Sequence, residues 1–274
     1  MSARPSASAL VLGALAALLA AATSLAGLLW PGAYARETAA WAVQGVGQDA
    51  ANLPVVAVTL GCTALLRRRA SLAALCVWLG GLLYFIYAFV IYAFAVHFTA
   101  LFLAYVAVLG LSFHAVVATL AGLDVAAATA PLRDRPGTKS ASALLIGIGV
   151  LFAAMWLVED APHVLANTPP PSLAETALWT NPVHVLDLAF VLPAMIATGV
   201  LLRRGHPWGL LLAPVLLVFA VAMGVAILAL FALSAVRGLP VAAPAAAVVG
   251  GVVLASGVVA HRLLSARATP RSAR

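Results

Sequence analysis

The chain has 274 residues, of which 65% are hydrophobic and 8% are charged, and its formal net charge is +7. Soluble domains carry about 25% charged residues, so a soluble fold of this length would lack the polar side chains needed to cover its surface. The composition therefore excludes an ordinary soluble domain and predicts an all-α integral membrane protein surrounded by lipid.

The positive net charge does not indicate a protein that binds nucleic acid. The 15 basic residues stand in short groups between apolar segments, whereas a duplex-binding protein gathers them on one folded face. All but Lys139 are arginines, which together with abundant Ala, Gly and Pro is typical of a GC-rich bacterial genome. Cys62 and Cys76 lie inside apolar segments and indicate buried side chains rather than a disulfide framework.

Eight segments are long enough to cross a bilayer, since a spanning helix needs about 20 mainly apolar residues. This predicts a transmembrane bundle of about eight helices that forms one membrane domain over residues 1–274. The predicted spans are 8–30, 42–66, 70–96, 98–122, 140–159, 182–203, 207–235 and 240–264.

The first segment has two interpretations. Arg4 followed by an apolar run at 9–30 resembles a signal peptide, but that run is longer than a usual signal-peptide core. We favour a retained helix. Cleavage would instead leave seven helices, with the N-terminus outside.

The distribution of basic residues predicts that both termini lie in the cytoplasm. Loops on the cytoplasmic side of membrane proteins carry an excess of Lys and Arg. With the N-terminus inside, only Arg36 and Arg237 of the 15 basic residues lie outside. We therefore expect an N-in/C-in protein of the bacterial cytoplasmic membrane.

The second segment carries a polar stripe. Gln44, Gln48 and Asn52 follow one another at intervals of four residues and therefore share one helix face, and Asp49 lies beside them. Polar side chains in a membrane span avoid lipid. The stripe indicates either hydrogen bonds to neighbouring helices or the wall of a polar cavity.

The third segment is rich in aromatic residues from Tyr84 to Phe94 and ends near His97. Aromatic residues at this density are typical of core packing and of the membrane-interface belt. The hydroxyls of Tyr87, Tyr92 and Tyr105 are further candidates for groups that reach a cavity.

The fifth and sixth segments bring acidic residues to the outer side. Glu159 and Asp160 are predicted to end the fifth helix, and Asn181 is a predicted N-cap of the sixth, followed by His184 and Asp187 three residues apart. Residues 160–181 are predicted to form an outer loop. Within it, the S-L-A-E capping-box pattern at 172–175 predicts a short helix on the membrane surface.

The seventh and eighth segments are almost entirely apolar and predict a scaffold. Their surface is also suited to a homo-oligomer or a larger membrane complex.

The polar residues predict one outward-facing pocket that binds a small molecule or ion, because ionisable groups in membrane spans usually serve function. Its candidate residues are Gln44, Gln48, Asp49, Asn52, Tyr87, His97, Glu159, Asn181, His184 and Asp187. Among them His184, Asp187 and Asp49 are the candidate ligands of a divalent metal, since imidazole and carboxylate groups bind such ions.

Three stretches, 44–52, 84–97 and 180–193, resemble a family of bacterial multi-pass membrane proteins with no established activity. The Asn-Pro-Val-His-x-x-Asp pattern from Asn181 to Asp187 is the most specific part of this resemblance, which covers the second to sixth segments. It implies a membrane location and no particular reaction. The histidine pair on a late helix that membrane-embedded zinc hydrolases of the adiponectin-receptor and ceramidase type carry is missing here.

Three hypotheses on function remain open from the sequence. The first is a protein that binds or transports a small molecule or ion, and it agrees best with the polar stripe. The second is a metal-dependent hydrolase or transferase at the periplasmic face. The third is a structural or sensory partner in a membrane complex. The sequence alone does not decide whether the protein is an enzyme.

Overall fold

The structure, a computed structural model, describes residues 4–133 and 135–265, and these residues form helices and connecting loops without any strand. The helices are α1 (Ala7–Leu29), α2 (Ala39–Arg68), α3 (Leu72–Ala95), α4 (Phe102–Ala121), α5 (Val125–Thr129), α6 (Thr138–Ala166), α7 (Pro171–Thr176), α8 (Pro182–Arg203), α9 (Pro207–Val236) and α10 (Ala243–Ser265).

Eight of these helices, all except the short α5 and α7, are long and apolar enough to cross a membrane. The prediction of an all-α bundle with about eight spanning helices is therefore confirmed. Side chains that precede the helices cap several of them, because the first backbone N–H groups of a helix lack partners within it. Ser6, Thr38 and Ser71 cap α1, α2 and α3, and the predicted N-cap Asn181 accepts hydrogen bonds from the N–H groups of Val183 and His184.

Helix α9 lies at the centre of the bundle and packs against α2, α3, α8 and α10. On one side of α2 and α3, α1 and α4 form a further pair that contacts both of them. On the other side, α6 packs along α8 and also contacts α10. The helices α2, α3 and α9 thus separate the α1–α4 side from the α6–α8 side.

Helix α3 is the most enclosed span, with 72% of its most apolar stretch buried compared with 17% for α10. The aromatic residues of α3 explain the difference, because Trp78, Tyr84, Phe85 and Phe89 are fully buried. Phe94, near the end of the helix, is exposed instead. The aromatic stretch is therefore mainly core, as expected from its density.

The sequence placed the end of the fifth span wrongly. Helix α6 continues past Glu159 and Asp160 to Ala166, where Asn167 ends it in a left-handed conformation with φ 51°. The acidic pair is compatible with a helical interior because Ser172 donates a hydrogen bond to Glu159 and His184 contacts Asp160. The connection that follows α6 therefore begins at residue 167 rather than 160.

The short helix expected in this connection is present as α7, but the predicted capping box is not. Pro170 rather than Ser172 precedes the first helical residue, and the Ser172 hydroxyl bonds to Glu159 on α6. This contact ties α7 to α6, and α7 also packs against α2.

The two ends of the bundle differ in charge. One end, here called the arginine-rich end, has the α2–α3, α4–α6 and α8–α9 connections and includes Arg67–Arg69 and Arg203–Arg204. At the opposite, arginine-poor end, Arg36 and Arg237 are the only Lys or Arg residues within the described ranges. Which end faces the cytoplasm remains a prediction.

Labelling in intact cells tests this orientation. Trp179→Cys is fully accessible at the arginine-poor end, and Arg204→Cys is exposed at the other end. If both termini are cytoplasmic, a membrane-impermeant maleimide labels Trp179→Cys in intact cells and labels Arg204→Cys only after lysis. The wild-type protein, with Cys62 and Cys76, gives the background, and the reverse pattern would show the opposite orientation.

The α6–α8 contact depends on small residues, and this generates a stability prediction. A Cβ atom at Gly149 would lie 2.6 Å from Ile196 and 3.0 Å from the Leu192 carbonyl oxygen, whereas Gly147, on the same helix, has open space around it. We expect Gly149→Val to destabilise the protein by about 1–3 kcal/mol through overpacking. Thermal unfolding in detergent should show a clear loss for Gly149→Val and little change for the control Gly147→Val.

Candidate functional site

A cavity of about 340 Å³ lies in the arginine-poor half of the bundle, between α2, α3, α6, α8, α9 and α10. Most of its wall is apolar, and aromatic side chains occupy several sides of it. The aromatic lining residues are Trp41, Tyr87, Tyr92, Phe152, Trp156, Phe219 and Phe231. A cavity of this kind is suited to the apolar body of a small molecule.

A small polar surface interrupts this apolar wall. Gln44 and Gln48 reach the cavity from α2, Tyr87 from α3 and Asp187 from α8. Among the described lining residues Asp187 has the only carboxyl group, and none of them is basic. The cavity therefore presents one acidic group to its contents.

Two donors hold the Asp187 carboxyl in place. The Tyr87 hydroxyl donates to Oδ1 over 3.1 Å, and the Trp156 indole N–H donates to Oδ2 over 2.9 Å. A carboxylate accepts about four hydrogen bonds, so two acceptor positions remain for a bound molecule. The arrangement orients the carboxyl and leaves it able to bind a further donor or cation.

Helix α8 is irregular where Asp187 stands. Residues Asp187–Val191 form a π-helical turn in which the Leu192 N–H donates to the Asp187 carbonyl oxygen. Pro193 follows and lacks the N–H that would bond to Ala189 in a regular helix, which favours this wider turn. Such turns in α-helices often occur at functional sites.

His184 lies behind the cavity wall. Its ring stacks on Trp156 with 4.3 Å between ring centroids, and its Nδ1 is 3.0 Å from both carboxylate oxygens of Asp160. Its Nε2 is 3.9 Å from Glu159, and the residue is only 5% exposed. His184 therefore positions Trp156, and through it Asp187, rather than touching the contents of the cavity.

A second polar cluster lies on the other side of α2 and α3. We call it the tyrosine–aspartate cluster, and it consists of Tyr34, Asp49 and Tyr92. Tyr34 donates to Asp49 Oδ2 over 2.5 Å and Tyr92 donates to Oδ1 over 2.8 Å. Gly27 on α1 makes room for this carboxyl, because a Cβ atom there would overlap it.

Buried hydrogen bonds continue from this cluster toward the middle of the bundle. Asn52 Oδ1 accepts from Gln48 and from the Tyr84 hydroxyl, and Asn52 Nδ2 donates to Ser24 on α1. The Gln48 amide also donates to Tyr84. The polar stripe of α2 thus divides its roles, because Asn52 bonds to other helices, Gln44 lines the cavity and Gln48 does both.

The ten candidate residues do not converge on one pocket. Four of them, Gln44, Gln48, Tyr87 and Asp187, line the cavity. Asp49 and Asn52 belong to the buried network beside it, while Glu159, Asn181 and His184 lie behind the wall formed by Trp156 and α8.

His97 does not line the cavity, although its neighbour Val96 does, and half of its side chain is exposed at the arginine-poor end. Its Nδ1 is 2.9 Å from the Glu37 carboxylate, which also accepts a hydrogen bond from the His97 backbone N–H. The side chain of Glu37 is almost fully buried, whereas half of His97 is exposed.

The proposed metal ligands are also held apart. Asp49 is bound by two tyrosines of its own cluster, Asp187 by Tyr87 and Trp156, and His184 by Asp160. Over residues 4–133 and 135–265, no group of three or more His, Cys, Asp or Glu residues is arranged to hold a metal ion. Asp49 therefore belongs to no ligand set with His184 and Asp187.

Several residues of the site had no clear signal in the sequence. Trp41 and Trp156 line the cavity and Tyr34 binds Asp49, and none of the three was identified from the sequence. Trp156 stands one helical turn before Asp160, and this spacing is the one indication that it shares a face with the acidic residues.

Comparisons with protein-family models, with curated proteins and with solved structures give no match. The resemblance of 44–52, 84–97 and 180–193 to bacterial multi-pass membrane proteins therefore has no further support.

The hydrogen bonds around Asn52 generate a prediction about stability. Asn52→Leu removes the hydrogen bonds that Ser24, Gln48 and Tyr84 make to Asn52. Tyr84→Phe removes only the Tyr84 hydroxyl and keeps the hydrogen bond between Gln48 and Asn52. We expect Tyr84→Phe to cost about 1 kcal/mol and Asn52→Leu about 2–3 kcal/mol, since unpaired buried polar groups are costly. Unfolding measurements in mixed micelles check this order, and equal stability of Asn52→Leu and wild type would contradict it.

Proposed function

We propose that the protein binds a small organic cation with an apolar body in the cavity and transports it across the bacterial cytoplasmic membrane. The observation that carries this proposal is the single carboxyl group of Asp187 in an otherwise apolar, aromatic wall without a basic residue among those described. A cationic group provides the charge that this carboxyl lacks, and the apolar body fills the remaining wall.

The aromatic residues support a cation in particular. Positive groups are attracted to the faces of Trp, Tyr and Phe rings, and this attraction is larger where water is excluded. Tyr87 packs edge-on against Phe219 with 5.7 Å between centroids, and Trp156 lies on the other side of Asp187. A cation held by Asp187 would therefore be next to aromatic surfaces.

The volume limits the size of the ligand. At about 340 Å³ the cavity is near the lower end of the range of about 300–1,000 Å³ that is typical of ligand pockets. A molecule with one or two rings and one cationic group suits this space, whereas a lipid or a long peptide exceeds it.

The irregular helix α8 supports transport rather than binding alone. Asp187 begins the π-helical turn, so a cation that binds it acts on the part of α8 whose hydrogen bonds are least regular. Small changes at such a turn can rotate one half of a helix relative to the other. Binding at Asp187 would thereby alter how α8 packs against α6 and α9.

The metal-dependent hydrolase has less support from the geometry. Its three candidate ligands lie in separate clusters, and the two acceptor positions left on Asp187 face an apolar cavity. We therefore do not propose this reaction.

Binding of matched probes tests the proposal. Phenyltrimethylammonium and its uncharged isostere tert-butylbenzene have the same shape, and binding to protein in lipid nanodiscs is followed by tryptophan fluorescence, since Trp41 and Trp156 line the cavity. We expect saturable binding of the cation and at least about tenfold weaker binding by Asp187→Asn, equivalent to about 1.4 kcal/mol.

The control is Glu175→Gln, which removes a negative charge at the same end of the bundle but outside the cavity wall. It should bind the cation as the wild type does. Equal affinity for both probes, or an equal loss in both variants, would show that Asp187 does not select a cation.

A further inference from the structure

Asp49 is an acidic residue buried deep in a spanning helix. It stands ten residues after the start of α2, which is about 15 Å along the helix axis at 1.5 Å per residue. Only 2% of its surface is exposed. Ionisable groups at such positions in membrane proteins are costly and commonly take part in ion or proton movement.

The surroundings of Asp49 contain hydroxyl groups and no positive charge. Helix α1 contributes Ser24 and Gly27, and the α1–α2 connection contributes Tyr34. The titratable groups that face Asp49 from α3 and α4 are Tyr92, Tyr84 and Tyr105. No Lys, Arg or His contacts this carboxyl within the part of the chain that the structure describes.

Two opposing effects act on the proton of Asp49. Burial without a cation favours the neutral acid, because a carboxylate loses its hydration there. Hydrogen bonds from Tyr34 and Tyr92 favour the carboxylate, because a charged acceptor makes stronger bonds. A group placed between two such effects can hold and release a proton.

Tyr34 connects Asp49 with the arginine-poor end. Burial raises the pKa of the Tyr34 hydroxyl well above its ordinary value, so this group stays a donor. The Tyr105 hydroxyl lies near Tyr34, is itself buried and has no hydrogen-bond partner among the described residues. An unpaired hydroxyl at this position allows a water molecule to join the chain of hydroxyls.

The same route leads toward titratable groups at the surface. Glu37, three residues after Tyr34, has a buried carboxylate bonded to the half-exposed His97. The Glu37 carboxylate also lies close enough to Tyr105 for its charge to act on that hydroxyl. His97 and Glu37 thus offer a connection from solvent to the tyrosines.

We propose that Asp49 is a proton-binding site within the membrane, which exchanges its proton with the arginine-poor face through Tyr34. The step is a simple transfer in which the proton leaves Asp49 for the hydroxyl chain and a proton from that face replaces it. This proposal does not depend on the identity of the cavity ligand.

The site is also adjacent to the cavity. Tyr92 donates to Asp49 with its hydroxyl and lines the cavity, and Gln48 lines it on the neighbouring helix. If the proposed function holds, the cation binds at Asp187 on one side of helices α2 and α3, and the proton binds at Asp49 on the other side. These two helices form the α2–α3 wall between the two sites. Proton release from Asp49 would then accompany movement of the cation.

Infrared spectroscopy of the full chain in lipid tests the site without any ligand. A protonated carboxylic acid has a carbonyl stretching band of its own, separate from that of a carboxylate. At mildly acidic pH we expect a component of this band that is present in wild type and in Asp187→Asn and is lost in Asp49→Asn. A band that is identical in wild type and in a folded Asp49→Asn protein would overturn the proposal.

A second variant keeps the test independent of how well Asp49→Asn folds. Tyr34→Phe retains the carboxyl group but removes one donor and the connection to the surface. We expect the Asp49 band to shift to higher frequency and its exchange in deuterated buffer to slow several-fold. The control Tyr87→Phe, which removes a hydroxyl of α3 bonded to Asp187 instead of Asp49, should leave the Asp49 band and its exchange unchanged. Unchanged frequency and exchange in Tyr34→Phe would rule out Tyr34 as the exchange route.

Discussion

The absence of water inside a bilayer governs this structure more than any other constraint. Polar side chains that enter the bundle are costly unless they find a partner, because hydrocarbon offers no hydrogen bonds. Long-range hydrogen bonds between helices supply several of these partners, among them Asn52 to Ser24, Tyr92 to Asp49 and Tyr87 to Asp187. These bonds fix which faces of α1, α2, α3 and α8 point inward, while small residues such as Gly149 let the helices approach closely.

Helix α3 has a special position in this arrangement. Its tyrosines alternate between the two sides of the bundle, since Tyr87 donates to Asp187 on α8 and Tyr92 donates to Asp49 on α2. The fully buried ring of Phe89 lies between them along the helix. A shift of α3 would therefore disturb both carboxyl groups together, which makes this helix the physical connection between the cavity and the tyrosine–aspartate cluster.

The sequence was sufficient to predict the helices but not how they pack. Hydrophobic segments of about 20 residues are a strong local signal, and the eight spans followed from it. The grouping of the polar residues was predicted less well, because a polar stripe such as Gln44–Asn52 has several neighbours within reach. Asp49 differs from Gln48 by one position, which is a rotation of about 100° around the helix, and so it faces α1 and not the cavity.

The end of α6 illustrates a different difficulty. Glu159 and Asp160 end the apolar run of the fifth span, and the end of such a run predicts the end of a helix. Partners from other parts of the chain allow α6 to continue past this point. Those partners, Ser172 and His184, come from two later elements, so no local pattern could indicate them. The contact between Asp160 and His184 therefore has two effects. It allows α6 to continue past Asp160, and it holds the His184 ring against Trp156 in the cavity wall.

The two buried carboxyl groups have surroundings that suit them to different tasks. Asp187 has two donors and a free side toward a cavity, so a ligand can complete its hydrogen bonds. Asp49 has two donors and no free side, since Gly27 and Tyr34 enclose it, and only a species as small as a proton can reach it without rearrangement. Pairs of acids whose environments differ in this way commonly divide chemical roles between them. Because both are attached to the same α2–α3 wall, occupancy of one changes the packing that the other requires, and this is the physical basis for coupling a ligand to a proton.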